Sequence, residues 1–314
     1  MAKLRGTAGS TGRLRAVWRA VALSSLLADA AAAYGKDPDD DATAKPTGQP
    51  KIYIDFRTNY AYVPAGSLSI GLGETSLFAA LSEIVTLAKV ASLPSTPGRP
   101  TLSSTTQGVG VDVPLTVDLG DVISLYGGLT GSASHNDQSD WSNFAVTSLF
   151  AGFQAEVYQQ NGGSFPTITL QTTVTRSVPD APLASTSMNA IVEANYALDT
   201  DETRGLLAGL QYTRVDVDSS LARVGSTTAG YIGGYHQWDN NWKVTGRLGL
   251  QSFGGAQLLN LAPFQPFTQP LVRLDLDRMD DDDNRLFGVT AQIAWTPKPA
   301  YQLTIRTPLY VTGN

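Results

Sequence analysis

The chain has 314 residues, with 22 basic and 28 acidic side chains and no cysteine. A formal net charge of −6 argues against a nucleic-acid-binding protein, which would carry a basic face. The absence of cysteine excludes disulfides as a source of stability and is compatible with export to an oxidising compartment.

The first 33 residues have the features of an export signal. Five basic residues precede a short apolar run at residues 20–27, and small residues follow it. We expect cleavage after Ala33, with Ala30 as the alternative. A retained amphipathic helix is the competing interpretation, but the run is shorter than the roughly 20 residues that cross a bilayer. Cleavage removes five basic residues and one acid, leaving 17 basic against 27 acidic residues, and residues 34–50 are then a flexible periplasmic lead-in.

From about residue 108 to the C-terminus, apolar and polar residues alternate in stretches of about ten. Between Val109 and Leu119 every second residue is valine or leucine, and residues such as Gly110 and Asp112 lie between them. Successive side chains of a strand point to opposite faces, so this pattern predicts a strand with one apolar and one polar face. The candidate strands are 51–59, 67–73, 108–119, 122–133, 144–158, 167–176, 188–198, 204–216, 227–237, 242–253, 271–277, 286–296 and 302–312.

Residues 76–93 break the alternation. Leu77, Leu81 and Ile84 recur at helical spacing, which predicts one short helix. The candidate strands number thirteen, whereas single-chain bacterial barrels have an even number. We therefore predict about 12 strands within a range of 10–14. Either a strand within 51–73 is spurious or one was missed in 254–270.

The links between strands alternate between tight turns and longer loops, as in barrels with short periplasmic turns and longer outer loops. In strand 242–253, Trp242, Val244 and Leu248 share one face, whereas Lys243 and Arg247 share the other. A soluble sandwich or a periplasmic barrel would turn the apolar face inward, and alternation alone does not decide between the two. The glycine-, serine- and threonine-rich polar face and the aromatic residues near strand ends favour an outward apolar face.

Aromatic residues near the strand ends predict two belts at the membrane interfaces. One belt is expected near the tight turns and the other at the opposite rim. The predicted belt residues are Tyr196, Tyr235, Trp238 and Trp242 near the turns, and Trp141, Tyr212 and Trp295 at the other rim.

Residues 51–314 resemble a Gram-negative outer-membrane β-barrel of the porin-like superfamily. The resemblance rests on the export signal and on strands 109–119, 242–253 and 286–296, a pattern rather than a specific motif. It implies an all-β, transmembrane, antiparallel up-and-down barrel in the outer membrane, with lipid and lipopolysaccharide as partners. Such barrels often end on an aromatic residue, whereas here the nearest aromatic is Tyr310. Two explanations are open, a variant assembly signal or a natural chain that continues differently.

Charged residues on the predicted inner face are candidates for the lining of a lumen. Opposite charges on neighbouring strands can pair with one another, or they can set a field that selects ions. Both a structural network and a selectivity filter remain open. The candidate residues are Lys243, Arg247, Arg273, Asp275, Asp277 and Arg306, with Glu156 and Glu193 on the far wall.

The sequence contains only two histidines, His135 and His236, and no nucleophile motif. We therefore predict no catalytic residue, no metal site and no cofactor. The main hypothesis is a passive channel for ions or small hydrophilic solutes. The alternatives are a non-conducting structural barrel and a transporter for small hydrophobic compounds.

Overall fold

The computed structural model describes ten segments of the chain. They are residues 51–65, 105–120, 122–137, 140–160, 162–178, 184–218, 222–258, 265–280, 285–295 and 298–312. The signal predicted at 1–33, the lead-in at 34–50, the candidate strand at 67–73 and the helix at 76–93 all lie outside them. Among the described residues, no helix is long and apolar enough to cross a membrane.

The described segments contain fourteen strands, numbered here in chain order. They are β1 (Lys51–Val63), β2 (Thr106–Leu119), β3 (Ile123–Asn136), β4 (Ala145–Tyr158), β5 (Thr167–Ser177), β6 (Ser185–Ala197), β7 (Arg204–Val217), β8 (Ala222–Val224), β9 (Thr227–Gln237), β10 (Trp242–Phe253), β11 (Ala256–Leu258), β12 (Phe267–Met279), β13 (Arg285–Trp295) and β14 (Pro299–Thr312).

Twelve of these strands form one closed antiparallel barrel. Each barrel strand pairs with the next barrel strand along the chain, and β1 pairs with β14 to close the sheet. The up-and-down barrel of twelve strands predicted from the sequence is therefore confirmed. The first strand extends to Val63 rather than ending at residue 59, and β12 begins at Phe267 rather than at residue 271.

The barrel buries its polar face and exposes its apolar face. Leu210 on β7 and Ile232 on β9 are 69% and 68% exposed, whereas Gln251 on β10 and Gln269 on β12 are 1% and 0% exposed. The buried amides satisfy each other, because Gln269 Nε2 donates a hydrogen bond of 2.8 Å to Gln251 Oε1. A soluble barrel would turn its leucines inward, whereas these leucines point outward. The polar face of the strands therefore lines the inside of the barrel.

The two rims of the barrel differ in how they connect the strands. At one end, here called the turn rim, short links join β2 to β3, β6 to β7 and β9 to β10. Gly120 and Asn241 adopt positive φ angles of 73° and 62° in two of these links, as tight reversals require. The barrel also begins and ends at this rim, because Ile52 of β1 lies opposite Thr312 of β14. The opposite end is called the loop rim.

The turn between β6 and β7 is held by the side chain of Asp199. Its carboxylate accepts hydrogen bonds of 2.8 Å from the Thr203 backbone N–H and 2.6 Å from the Thr203 hydroxyl, and one of 3.3 Å from the Arg204 N–H. The hydrogen bonds from Thr203 and Arg204 stabilise the charged form and lower the pKa of Asp199 below its ordinary value.

At the loop rim a short ribbon outside the barrel sheet joins two long connections. The three-residue strands β8 and β11 pair with each other. An apolar cluster of Val215, Phe253 and Ala256 is buried there, with Val224 and Phe267 against it. The sequence pattern did not predict this ribbon, because three residues are too few for a period of two to be recognised.

Candidate functional site

The inward face of the barrel carries a group of charged residues on strands β1, β6, β10, β12, β13 and β14, here called the charge band. All six C-terminal candidates from the sequence lie on inward positions. Lys243 and Arg247 are on β10, and Arg273, Asp275 and Asp277 are on β12, in register with them. Arg306 is on β14, and Glu193 of the far wall is on β6.

Asp275 is the centre of the charge band. Arg273 donates to its carboxylate through Nη2 at 2.8 Å and Nε at 3.0 Å, and Arg247 donates through Nη1 at 2.6 Å. The Thr290 hydroxyl from β13 donates a fourth hydrogen bond at 2.5 Å. Arg247 and Arg273 lie directly opposite each other in the strand register, an unfavourable arrangement for like charges. The buried carboxylate of Asp275 therefore neutralises the two arginines that face each other.

Arg247 also contacts Glu193 along the inner face of the barrel. Its Nη2 lies 3.3 Å from Glu193 Oε2, although strands β7 and β9 lie between the two residues. The Tyr231 hydroxyl on β9 donates to the same carboxylate at 2.7 Å, and the Arg247 guanidinium lies 5.8 Å from the centre of the Tyr231 ring. A continuous set of contacts therefore connects β6 to β10 through Glu193, Tyr231 and Arg247.

Glycine on β7 makes room for this contact. A Cβ atom at Gly209 would lie 2.3 Å from Cζ of Tyr231, so any side chain there would displace the ring. Gly249 is directly opposite Tyr231 on β10, where a Cβ would lie 2.9 Å from Tyr231 Cβ. The absence of a side chain at Gly209 therefore leaves room for the tyrosine ring, whose hydroxyl reaches Glu193.

Tyr231 and Gly209 were not among the residues predicted from the sequence. Strand parity was the available signal, because Tyr231 alternates with Ile232, which belongs to the apolar face of β9. An aromatic residue in phase with the polar positions of a strand points into the lumen and needs a polar partner for its hydroxyl.

Three further charged residues of the band were also missed. Arg285 Nε, on β13, lies 2.7 Å from Asp277 Oδ1, and Arg57 Nη2 on β1 lies 3.4 Å from Asp55 Oδ2. Arg57 is directly opposite Arg306 in the register of β1 and β14. Because the first and last strands meet only on closure, no local pattern in the sequence could have indicated this neighbourhood.

Two other residues predicted to line the lumen, Lys243 and Glu156, have contacts that include uncharged groups. The Lys243 ammonium lies 4.7 Å from the centre of the Tyr235 ring. Glu156 is near the turn rim of β4, where its carboxylate accepts a hydrogen bond of 3.1 Å from Gln159. Glu156 is therefore not part of the charge band.

One of the seven predicted belt residues is placed wrongly by the sequence analysis. Tyr235 points into the barrel and is 9% exposed, because it has the same parity on β9 as Tyr231. Gly205 on β7 leaves room for its ring. Tyr235 was assigned to a belt because it is aromatic and near a turn, but strand parity decides the face.

The other six predicted belt residues lie outside the lumen. Tyr196 and Trp242 are partly exposed near the turn rim, and Trp295 is partly exposed near the loop rim. The remaining three have exposed rings and are Trp141, Tyr212 and Trp238. Whether these residues meet a membrane interface remains a prediction.

The described part of the chain shows no group of three or more His, Asp or Glu side chains placed to hold a metal ion. The chemistry of the charge band is ionic, because its members are guanidinium, ammonium and carboxylate groups with a tyrosine hydroxyl between them. Such a band can position or repel charged solutes.

No protein-family model matches the sequence, and no curated protein is significantly similar to it. Among solved structures, the COG4313 outer membrane channel from Pseudomonas putida F1 is similar with a TM-score of 0.50 and 12% identity, over 87% of this chain and 100% of that one. The transport unit of the autotransporter AIDA-I from Escherichia coli has a TM-score of 0.44 and 8% identity, over 93% and 97% of the two chains. At such low identity the likeness concerns the fold alone. With its twelve-stranded closure and outward apolar face, this chain has the fold of outer-membrane β-barrel proteins.

Proposed function

We propose that the protein is a passive channel of a bacterial outer membrane, for ions or small hydrophilic solutes. The observation that carries the proposal is the reversed distribution of side chains around the closed sheet. Leucines and isoleucines cover the outside, where lipid would contact them, and a polar lumen contains the charge band. In this proposal the turn rim faces the periplasm and the loop rim faces outward, with lipid and lipopolysaccharide around the barrel.

The charge band supports a role in selecting solutes by charge. Arginines and carboxylates from four strands, β6, β10, β12 and β13, form ion pairs in the lumen, and fixed charges at such a position create a transverse field. Arg247 is the best-placed single residue, because it connects Asp275 on one side to Glu193 on the other. No step of covalent chemistry belongs to this proposal, and the protein is not proposed to be an enzyme.

Planar-bilayer recording of the refolded full chain tests the proposal. Correct folding is verified first by the heat-dependent gel mobility that closed barrels show. We expect discrete ohmic steps, and in a salt gradient we expect Arg247→Glu to shift the reversal potential towards cation selectivity. Arg214→Glu is the matched control, since Arg214 is exposed on β7 in an ion pair with Asp216. Folded wild-type protein that leaves the bilayer silent would refute the channel and favour a structural barrel.

Transport of small hydrophobic compounds is a second candidate. It is favoured by the buried apolar cluster of Val215, Phe253 and Ala256 at the loop rim, close to one entrance of the lumen. In proteoliposomes, this alternative predicts uptake of a labelled apolar aromatic compound that falls in Phe253→Ser. The hydrophilic channel predicts permeation of a small sugar that does not change in that variant.

A further inference from the structure

Arg306 lies at mid-height on the inner face of β14. In the register of the sheet it is directly opposite Gly288 of β13 on one side and Arg57 of β1 on the other. Gly288 contributes no side chain, so the only side chain directly across a strand from Arg306 is another guanidinium. Like charges in directly opposed positions destabilise a sheet unless something neutralises them.

Most carboxylates of this wall are engaged by other arginines. Asp275 is bound by Arg273, and Asp277 is bound by Arg285 at 2.7 Å. A third carboxylate, Asp55, lies 3.4 Å from Arg57. A fourth, Asp112, is opposite Arg57 on β2 and accepts a hydrogen bond of 3.2 Å from Asn59. Asp275, Asp277 and Asp55 therefore already neutralise cations other than Arg306.

Arg306 makes no side-chain hydrogen bond or ion pair with any residue that the structure describes. Its Nε is buried without a hydrogen-bond partner. Arg273, Arg285 and Arg57 oppose its charge, whereas Asp275, which is already bound by Arg273 and Arg247, favours it. A guanidinium in this position costs free energy unless an anion compensates it.

The position of Arg306 is accessible to a solute in the lumen. The residue as a whole is partly exposed, and its strand position faces the interior of the barrel. Thr304 lies two residues before Arg306 on the same face of β14, roughly 7 Å along the strand, and adds a hydroxyl group. A planar guanidinium with a nearby hydroxyl is suited to the oxygens of a carboxylate or a phosphate group.

We propose that Arg306 is the centre of a binding site for a small oxoanion, with a carboxylate or phosphate group held by its guanidinium. The inference rests on the proposed function in one respect, since the anion reaches the site through the lumen. It goes further in naming the chemical class of the solute and the residue that selects it. The anion would complete the neutralisation of the arginines that surround Arg306.

Equilibrium dialysis of the refolded full chain in detergent tests the site without requiring conduction. The probes are labelled inorganic phosphate and labelled acetate, measured separately so that the preferred oxoanion is identified. We expect saturable binding of at least one probe, weakened roughly ten- to hundredfold in Arg306→Gln, as expected when a charged hydrogen-bonding partner is lost. Arg214→Gln removes the same charge from the outside of the barrel and is expected to bind like wild type.

Two results would overturn the inference, namely no saturable binding by wild type or equal binding by Arg306→Gln. If Arg306→Gln fails the gel-mobility test for folding, Arg306→Lys replaces it. That variant keeps the charge but loses the planar fork, so we expect severalfold weaker binding, and unchanged binding would contradict the site. Conduction without anion binding would refute the site alone, whereas anion binding by a protein that leaves the bilayer silent would refute the channel alone.

Discussion

An arginine on the outward face of β7 tests whether this face meets lipid. Leu210 is near the middle of the strand and Leu206 is near the turn rim, and both have exposed side chains on the same face. The four residue steps from Leu206 to Leu210 span about 13 Å of strand, or about 10 Å of depth at a tilt of roughly 40°. Since the apolar band of such barrels is about 25 Å tall, Leu210 would lie near the membrane midplane and Leu206 near its edge.

The expected cost therefore depends on depth. We expect Leu210→Arg to lower the free energy of unfolding by about 2–4 kcal/mol, and Leu206→Arg to lower it by about 0–1 kcal/mol. In a barrel surrounded by water, both leucines would already face solvent, and both substitutions would change stability by less than about 0.5 kcal/mol. The pair of variants separates the two environments because residue type, strand and face are the same.

The assay is reversible unfolding in lipid vesicles, with a denaturant titration followed by tryptophan fluorescence. Heat-dependent gel mobility identifies the folded fraction of each variant. Equal effects at the two positions would refute the assignment of a membrane midplane at Leu210. No effect at either position would refute the outward apolar face as a lipid-facing surface.

Three further predictions concern the interior and the turn rim. Gly209→Ala should displace the Tyr231 ring and lower the free energy of unfolding by about 1–3 kcal/mol, whereas Gly230→Ala, whose Cβ would meet only a leucine methyl at 3.4 Å, should be close to neutral in the same titration. Asp275→Asn should cost about 3–5 kcal/mol, because it leaves two facing arginines without their shared carboxylate; a wild-type midpoint would contradict that role. Because its pKa is lowered in the folded state, Asp199 should stabilise the barrel above its unfolded-state pKa and lose that contribution as the pH falls through the folded-state pKa. Unfolding midpoints of wild type and Asp199→Asn should therefore differ at pH 7 and converge in acid, and a constant difference would exclude this linkage.

Local alternation was sufficient to predict the strands and their two faces. The alternation predicted a strand at 242–253, the same residues as β10, with Lys243 and Arg247 on one face. The rule that single-chain bacterial barrels have an even number of strands then reduced the thirteen candidate strands to about twelve. These features follow from the period of two along a single strand, which can be recognised without knowing where any other strand lies.

The error at Tyr235 shows where local reasoning stops. Its aromatic ring and its position near a turn favoured an interface belt, but it shares the inward parity of Tyr231 and lies over Gly205. A glycine opposite an aromatic residue is informative only when the register between the two strands is known. The short strands β8 and β11 were missed for a similar reason, since they are defined by their pairing and not by a pattern.

The sequence by itself determined that this protein consists of amphipathic strands, about twelve in number, with charges on the polar face of the last few. Only the tertiary structure decided that the polar face is inside, because alternation is the same whichever side faces the solvent. Closure of β1 against β14 also decided that Arg57 lies opposite Arg306, two residues almost the whole length of the barrel apart in sequence. The contact of Arg247 with Glu193 is of the same kind, because it depends on how four strands are aligned and on which positions between them lack side chains.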